Sequence, residues 1–153
     1  MRTDSPAATR ALGERLAQQL RVGDVLLMLG DLGAGKSELT RGIARGLGVT
    51  ATVASPSFTI LNVYDEGRVP LYHFDWYRLN DVEELYEMGM DEYLGGDGVA
   101  VVEWPQMADL SPTPALEIEL QRGGDDDTRL IDIENYGVAG FDPAALEDWR
   151  PKA

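Results

Sequence analysis

The hydrophobic residues of this chain fall into unbroken runs and helical repeats. Residues 25–29 and 99–102 are unbroken apolar runs, which is typical of strands buried on both faces of a parallel sheet. Residues 6–20 and 37–46 carry apolar side chains every three or four positions, which predicts amphipathic helices. The two patterns together predict a chain of mixed strands and helices.

Two further segments predict β-hairpins. Residues 58–64 and 69–74 favour strands on either side of a turn at 65–67, and residues 116–120 and 129–133 alternate around the turn 123–127. We expect the second hairpin at the edge of the sheet.

Between the hairpins, Asn80 and Asp81 are suitable caps for one helix that ends near Gly95. Asp142 and Pro143 favour a short last helix up to Trp149. The sequence contains no internal repeat, low-complexity segment or linker, so we predict a single domain over residues 1–153.

A candidate phosphate loop follows the first apolar run. Gly30 is followed by four residues and then by Gly35, Lys36 and Ser37, which is the phosphate-loop spacing. Backbone N–H groups of such a loop and of the next helix can surround an anion. Lys36 would contact phosphate and the Ser37 hydroxyl would ligate Mg²⁺. The alternative is a glycine-rich turn that contains this tripeptide by chance. The chain has only two lysines among its 13 basic residues, and one stands at the phosphate position.

Acidic residues end two of the predicted strands. Asp75 closes the returning strand of the first hairpin, and Glu103 directly follows the apolar run 99–102. A carboxylate at a strand end can hold Mg²⁺, while a second one can orient an attacking water. For either residue alone, a capping or surface role competes with this interpretation. Both together, in a chain with a phosphate loop, favour a joint site.

Two other features leave alternatives open. Residues 55–59 (Ser-Pro-Ser-Phe-Thr) could form a switch that senses the γ-phosphate, or an ordinary Ser-Pro connection. His73 is the only histidine and lies within a predicted strand, where a structural role is favoured over chemistry.

Composition excludes several classes of function. The absence of cysteine excludes disulfides, thiolate metal sites and cysteine nucleophiles. No run approaches the length of a membrane span, and residues 1–8 lack the apolar core of a signal peptide, so we expect a cytoplasmic protein. A net charge of −14 argues against a broad nucleic-acid surface. Arg41, Arg45 and Arg78 could form a local basic patch, although a solvated helix face is favoured for the first two.

Taken together, the motifs resemble the TsaE (YjeE) family of bacterial ATPases in tRNA threonylcarbamoyladenosine biosynthesis. The resemblance rests on residues 30–37 (Gly-Asp-Leu-Gly-Ala-Gly-Lys-Ser), 55–59, 73–79 (His-Phe-Asp-Trp-Tyr-Arg-Leu) and 102–105 (Val-Glu-Trp-Pro). The phosphate loop alone would be generic, whereas the last two segments are specific. The similarity covers about residues 8–137.

The resemblance implies a P-loop NTPase-like three-layer α/β fold with a mostly parallel central sheet and antiparallel flanking strands. It also implies ATP and Mg²⁺ as ligands, and a role beside TsaB and TsaD, which modify adenosine 37 of tRNAs that read ANN codons. tRNA would be engaged only through that complex. The residues implied for nucleotide binding are Asp31, Leu32, Gly33, Ala34, Gly35, Lys36, Ser37, Glu38 and Trp104. Ser37, Asp75 and Glu103 would serve the metal, and Asp75 and Glu103 the catalysis.

Two positions depart from the family pattern. Glu38 stands where many members have Thr, and Ser57 replaces a usual Thr in the switch segment. A carboxylate in the first helical turn suits the helix dipole, but it also adds negative charge near the phosphates.

Two other functions compete with a hydrolytic ATPase. A small-molecule kinase with a phosphate loop needs an acceptor pocket and usually an arginine-bearing lid, and no long basic insertion is present. A nucleotide-dependent interaction protein with negligible turnover is the other possibility. A GTPase is disfavoured, because the second lysine, Lys152, is too close to the chain end for an Asn-Lys-x-Asp motif.

Overall fold

The structure of the chain is a computed structural model that describes residues 1–31, 33–50, 61–77, 81, 83–87, 89–107 and 113–147. One seven-stranded sheet contains all of the described strands, in the order β1-β7-β6-β2-β5-β4-β3. The strands are β1 (Arg2–Thr3), β2 (Val25–Leu29), β3 (Leu61–Tyr64), β4 (Leu71–Asp75), β5 (Val99–Glu103), β6 (Ala115–Arg122) and β7 (Arg129–Tyr136). The helices are α1 (Pro6–Ala17), α2 (Lys36–Gly46), α3 (Glu83–Glu87), α4 (Met90–Tyr93) and α5 (Ala144–Glu147).

The sheet is parallel at its centre and antiparallel on both flanks. The four central strands β6, β2, β5 and β4 run parallel to one another. On the flanks, β3 pairs with β4, and β7 pairs with β6 and β1, in the antiparallel sense. This arrangement confirms the predicted α/β class with a mostly parallel centre, and it confirms both predicted hairpins. Because the central strands are parallel, their carboxyl ends meet at one edge of the sheet.

The second hairpin is not the outermost part of the sheet. Two residues at the start of the chain form β1 and pair with Leu130 and Arg129, and the amino group of Met1 donates a hydrogen bond to the Ile131 carbonyl. A two-residue strand is too short to produce an alternating pattern, so the sequence alone does not predict it.

Helices α1 and α2 cover one face of the sheet and share its larger hydrophobic core. That core includes Leu12, Leu16, Leu39 and Ile43 from the helices and the even-numbered β2 residues. The two helices approach closely at Gly42, where a β-carbon would lie 2.0 Å from the Arg10 carbonyl oxygen. This contact anchors the helix that follows the phosphate loop, which helps to keep its first turn in place.

The opposite face carries a smaller core under α3 and α4, formed by Phe74, Trp76, Leu85 and Val102. The sequence predicted a single helix here, and that prediction was wrong, because Gly89 separates two short helices. Gly89 has a φ of 78°, the left-handed conformation with which helices commonly end. Among the helices that the structure describes, none combines the length and apolar character that a membrane crossing requires.

Candidate functional site

The candidate phosphate loop lies where predicted, between the end of β2 at Leu29 and the start of α2 at Lys36. Gly35 immediately precedes the helix with a φ of 102°, a conformation that residues with a β-carbon rarely adopt. Its carbonyl oxygen accepts the first helical hydrogen bond, from the Leu39 amide at 3.0 Å. The loop therefore turns directly into a helix N-terminus, where unpaired N–H groups favour an anion. Leu32, also predicted to bind nucleotide, lies outside the described residues.

Lys36 is buried, with only 5% of its surface exposed. Its Nζ donates a hydrogen bond to the Gly30 carbonyl oxygen at 2.7 Å and lies 4.0 Å from the centre of the Trp104 ring. Burial lowers the pKa of Lys36, whereas the carboxylates of Glu103, Asp75 and Asp31 act in the opposite direction. The ammonium is thus a desolvated cation that an anionic ligand would further stabilise.

Trp104 has an unusual backbone conformation. Of the non-glycine residues that the structure describes, it alone has a positive φ, at 60°. Such a conformation is costly for a bulky residue and is often found at functional sites. Here it directs the indole over Lys36 and against the Tyr77 ring, whose centre is 4.7 Å away. The strained residue directly follows the acidic end of β5.

Asp75 and Glu103 are direct neighbours on the parallel strands β4 and β5. One oxygen of Asp75 accepts a hydrogen bond from the Tyr77 amide at 3.0 Å. Burial raises the pKa of Asp75. The hydrogen bond from the Tyr77 amide lowers it, whereas the adjacent Glu103 carboxylate raises it further. The two predicted catalytic carboxylates therefore lie at the same edge of the sheet, and both interact electrostatically with Lys36.

His73 contacts the candidate site through Glu103. Its Nε2 lies 2.6 Å from Glu103 Oε2, and the two side chains are 1% and 6% exposed. Its position within a strand favours a structural role, and the contact with Glu103 was not predicted. The signal was present, because residues two apart on a strand share a face, which places His73 beside Asp75 and its neighbour Glu103.

The remaining predicted metal ligand, Ser37, is half-buried in the first turn of α2. Its hydroxyl has no hydrogen-bond partner among the residues that the structure describes. Within the same residues, no group of three or more histidine, aspartate or glutamate side chains could hold a metal ion. Any Mg²⁺ here would therefore take further oxygen ligands from water or from a bound phosphate.

Glu38, the departure from the family pattern, is held by two arginines. Its carboxylate accepts hydrogen bonds from Arg10 at 2.6 Å and from Arg41 at 2.8 Å. These contacts offset the extra negative charge that the sequence analysis placed near the phosphates. Arg45 pairs with Glu14, as expected for a solvated helix face. Arg78 and the candidate switch at residues 55–59 lie outside the described residues.

Two arginines of the β6–β7 hairpin lie against the phosphate loop and were not predicted. Arg129 donates to the Gly33 carbonyl oxygen at 3.3 Å, and its aliphatic stem packs over Gly35. Nη2 of Arg122 lies 2.6 Å from the position that a β-carbon at Gly33 would take. The two are cross-strand neighbours, so only the pairing of the hairpin with the centre of the sheet brings them here. No sequence signal indicated this contact.

A cavity of about 490 Å³ borders the phosphate loop on the side of β6. Its walls include Gly30, Asp31 and Ala34 of the loop, Trp104 and Gln106 after β5, and the end of β6. Three of the predicted nucleotide-binding residues, Asp31, Ala34 and Trp104, therefore line one open space. Its volume lies within the range of small-molecule sites.

Comparison with known proteins gives one consistent result. Residues 3–131 match the family model described as "Threonylcarbamoyl adenosine biosynthesis protein TsaE". A protein of Bacillus subtilis named tRNA threonylcarbamoyladenosine biosynthesis protein TsaE is 45% identical over 130 residues, covering 84% of this chain and 81% of the relative. A protein of the same name from Nostoc is 38% identical, covering 92% and 88%. The crystal structure of Bacillus subtilis YdiB superposes with a TM-score of 0.77 at 41% identity, covering 90% of this chain and 84% of that one.

Proposed function

This chain belongs to the TsaE family of threonylcarbamoyl adenosine biosynthesis proteins, and from that premise we propose that it is a Mg²⁺-dependent ATPase with a P-loop NTPase-like fold. Its proposed role is in threonylcarbamoylation of adenosine 37 in tRNAs that read ANN codons. TsaB and TsaD are the proposed partners, and tRNA is engaged only through them.

The observation that carries this proposal is the position of Lys36. Its buried ammonium lies at the start of a helix and close to the acidic ends of β4 and β5. A phosphate group there would meet the helix N-terminus and the ammonium at once. The two carboxylates would lie within reach of a metal and a water on that phosphate. Phosphoryl transfer depends on positioning and charge stabilisation of this kind.

Each residue has a separate part in the proposed reaction. Lys36 would donate to phosphate oxygens, and residues 31–38 would surround them with backbone N–H groups. Ser37, Asp75 and Glu103 would hold Mg²⁺, because a hydroxyl and two carboxylates are the hard oxygen donors that this ion prefers. Bound Mg²⁺ would neutralise charge on the phosphates. Glu103 would also orient the attacking water, and the Trp104 ring would support the ammonium of Lys36.

We propose that turnover is slow until TsaB and TsaD are present. The sequence has no long basic insertion that could form a lid over the phosphates, and a group supplied in trans can accelerate such reactions by ~10³–10⁵. The acidic balance of the chain supports an indirect role for tRNA. A net charge of −14 repels a polyanion unless basic residues cluster.

The test is phosphate release from ATP and from GTP, by the chain alone and with purified TsaB and TsaD, with and without tRNA. We expect slow release from ATP alone and a marked increase with the partners. The Lys36→Ala variant should remove the signal, while Lys152→Ala, which changes the only other lysine, should retain it. Phosphate release by the chain alone that TsaB and TsaD do not increase would contradict partner activation. Release unaffected by Lys36→Ala would contradict the phosphate-loop assignment.

A small-molecule kinase is the second candidate function, and the cavity beside the phosphate loop is the observation that favours it. A space of about 490 Å³ is large enough for a phosphate acceptor. The same assay separates the two functions, because a hydrolase releases inorganic phosphate, whereas a kinase transfers it to an organic acceptor.

A further inference from the structure

We infer that His73 is a positioning residue for Glu103: it holds one carboxylate oxygen so that the other faces the nucleotide site. The inference deepens the proposed function and rests on it, because the value of a fixed carboxylate here is to orient the attacking water.

The contact has the features of a strong hydrogen bond. Nε2 and Oε2 are 2.6 Å apart, and both side chains are almost completely buried. A carboxylate taken out of water needs a partner, and hydrogen bonds that involve an ionised group are shorter and stronger than neutral ones. The parallel pairing of β4 with β5 sets the two backbones at a fixed separation, which restricts the distance between the two side chains.

The hydrogen-bond arrangement also determines which ring nitrogen carries the proton. An ionised carboxylate can only accept, so Nε2 must donate. Among the described residues, His73 Nδ1 is buried and has no partner. A proton on Nδ1 would leave a buried N–H group unpaired, which is costly. The neutral ring with its proton on Nε2 leaves only a lone pair unpaired.

This arrangement leaves Glu103 with one committed and one available oxygen. Oε2 accepts from His73, and Oε1 has no hydrogen-bond partner in the part of the chain that the structure describes. The positive charge of Lys36 attracts the same carboxylate. Without His73, nothing among the described residues would hold Oε2, and the oxygen that faces the nucleotide site would lose its fixed direction. His73 therefore orients Glu103 without touching the phosphate-binding group.

The first test observes the ring directly and does not depend on ATP. Because the chain has a single histidine, its imidazole ¹⁵N spectrum is unambiguous. We expect a protonated Nε2 and an unprotonated Nδ1, with the Nε2–H signal altered in the Glu103→Gln variant. A proton on Nδ1 with a bare Nε2, or a signal that Glu103→Gln leaves unchanged, would overturn the inference.

The second test is a double-mutant cycle. His73→Leu should lower kcat of ATP hydrolysis, measured with TsaB and TsaD, by ~10-fold or more, since a positioned general base contributes ~10²–10⁴. Affinity for ATP, measured by calorimetry, should change less than 3-fold, because His73 contacts the carboxylate and not the loop. His73→Gln, whose amide can donate from the same position, should recover most of the loss. In the Glu103→Gln background, His73→Leu should cost little more.

The outcomes separate the inference from the proposed function. Equal losses of kcat from His73→Leu in both backgrounds, or a loss of ATP affinity as large as the loss of kcat, would overturn the positioning role. If His73→Leu does not fold, the comparison of His73→Gln with His73→Asn decides, because only glutamine places its donor at the Nε2 position. A wild-type protein without ATP turnover would contradict the proposed function, whereas the ¹⁵N spectrum would still decide whether His73 donates to Glu103.

Discussion

The phosphate loop and the acidic strand ends lie at the same edge of the sheet, but the chain holds them in different ways. The loop is one contiguous segment, and its conformation depends on local features such as the φ of 102° at Gly35. Asp75 and Glu103 are distant in sequence and meet because β4 and β5 pair in register. His73, which lies on β4, then holds the Glu103 carboxylate by a hydrogen bond.

The difference indicates how each half of the site should fail. A local loop fails when its backbone or its one cation is changed, and the expected loss is in nucleotide binding. The strand ends fail when a carboxylate loses its position or charge, and the expected loss is in the chemical step. In each half, burial disfavours the charged form of a side chain, since it lowers the pKa of Lys36 and raises that of Asp75.

The largest expected effect is on the strand ends. Glu103→Gln should lower ATP hydrolysis by ~10²–10⁴-fold, because an amide cannot take a proton from the water that the carboxylate orients, and should change ATP affinity far less. Single-turnover kinetics and calorimetry measure the two quantities separately. Equal losses in both would indicate that Glu103 acts mainly by ligating the metal, which would weaken the contrast between the two halves.

Lys36→Ala, in contrast, should act mainly on ATP affinity. Loss of one charge-assisted phosphate contact costs ~1.5–3 kcal/mol, which corresponds to an approximately 10- to 150-fold loss of ATP affinity. Calorimetry on the folded variant, with Lys152→Ala as the matched control, is the measurement. Unchanged affinity would remove the phosphate-loop assignment.

Gly35→Ala tests the local character of the loop. A β-carbon at a φ of 102° costs ~1–2 kcal/mol, so we expect lower stability to denaturant and weaker ATP binding. Gly124→Ala is the control, since a side chain there has no neighbour within 4 Å and its φ is not positive. Equal stabilities of the two variants would show that the loop tolerates a side chain and is less constrained than its geometry indicates.

The smallest expected effect is a stability gain from Asp75→Asn in the nucleotide- and metal-free protein. Burial raises the pKa of Asp75 in the folded state, so the ionised carboxylate destabilises the fold at pH 7. As the pH falls from above the raised folded-state pKa to below the unfolded-state pKa, the wild type gains stability, because the folded state binds the proton more tightly. The advantage of Asp75→Asn should therefore be present at pH 7 and disappear at acidic pH.

Asp125→Asn is a control of opposite sign for that experiment. Hydrogen bonds from Thr128 and Asp127 lower the pKa of Asp125, so its carboxylate stabilises the fold above its unfolded pKa, and that contribution is lost as the pH falls. Chemical denaturation of both variants across this pH range is the measurement. If Asp75→Asn and Asp125→Asn change the stability at pH 7 in the same direction relative to the wild type, burial is not the dominant cause of the pKa shift at Asp75.

The contiguous and periodic parts of this protein could be predicted from the amino-acid sequence. The phosphate loop, the two hairpins, the apolar strands β2 and β5 and the helices α1 and α2 could be predicted because each depends on residues close together in the chain. The acidic strand ends could also be proposed, because each follows an apolar run. For the same reason, the family could be identified before any geometry was known.

Contacts between distant segments became known only from the folded structure. It paired β1 with β7, brought Arg129 to Gly33, turned the Trp104 ring onto Lys36 and joined His73 to Glu103. It also divided the predicted helix at Gly89. The physical reason is that register and packing of non-adjacent strands decide which side chains meet, and no pattern along the chain records which of those strands pair.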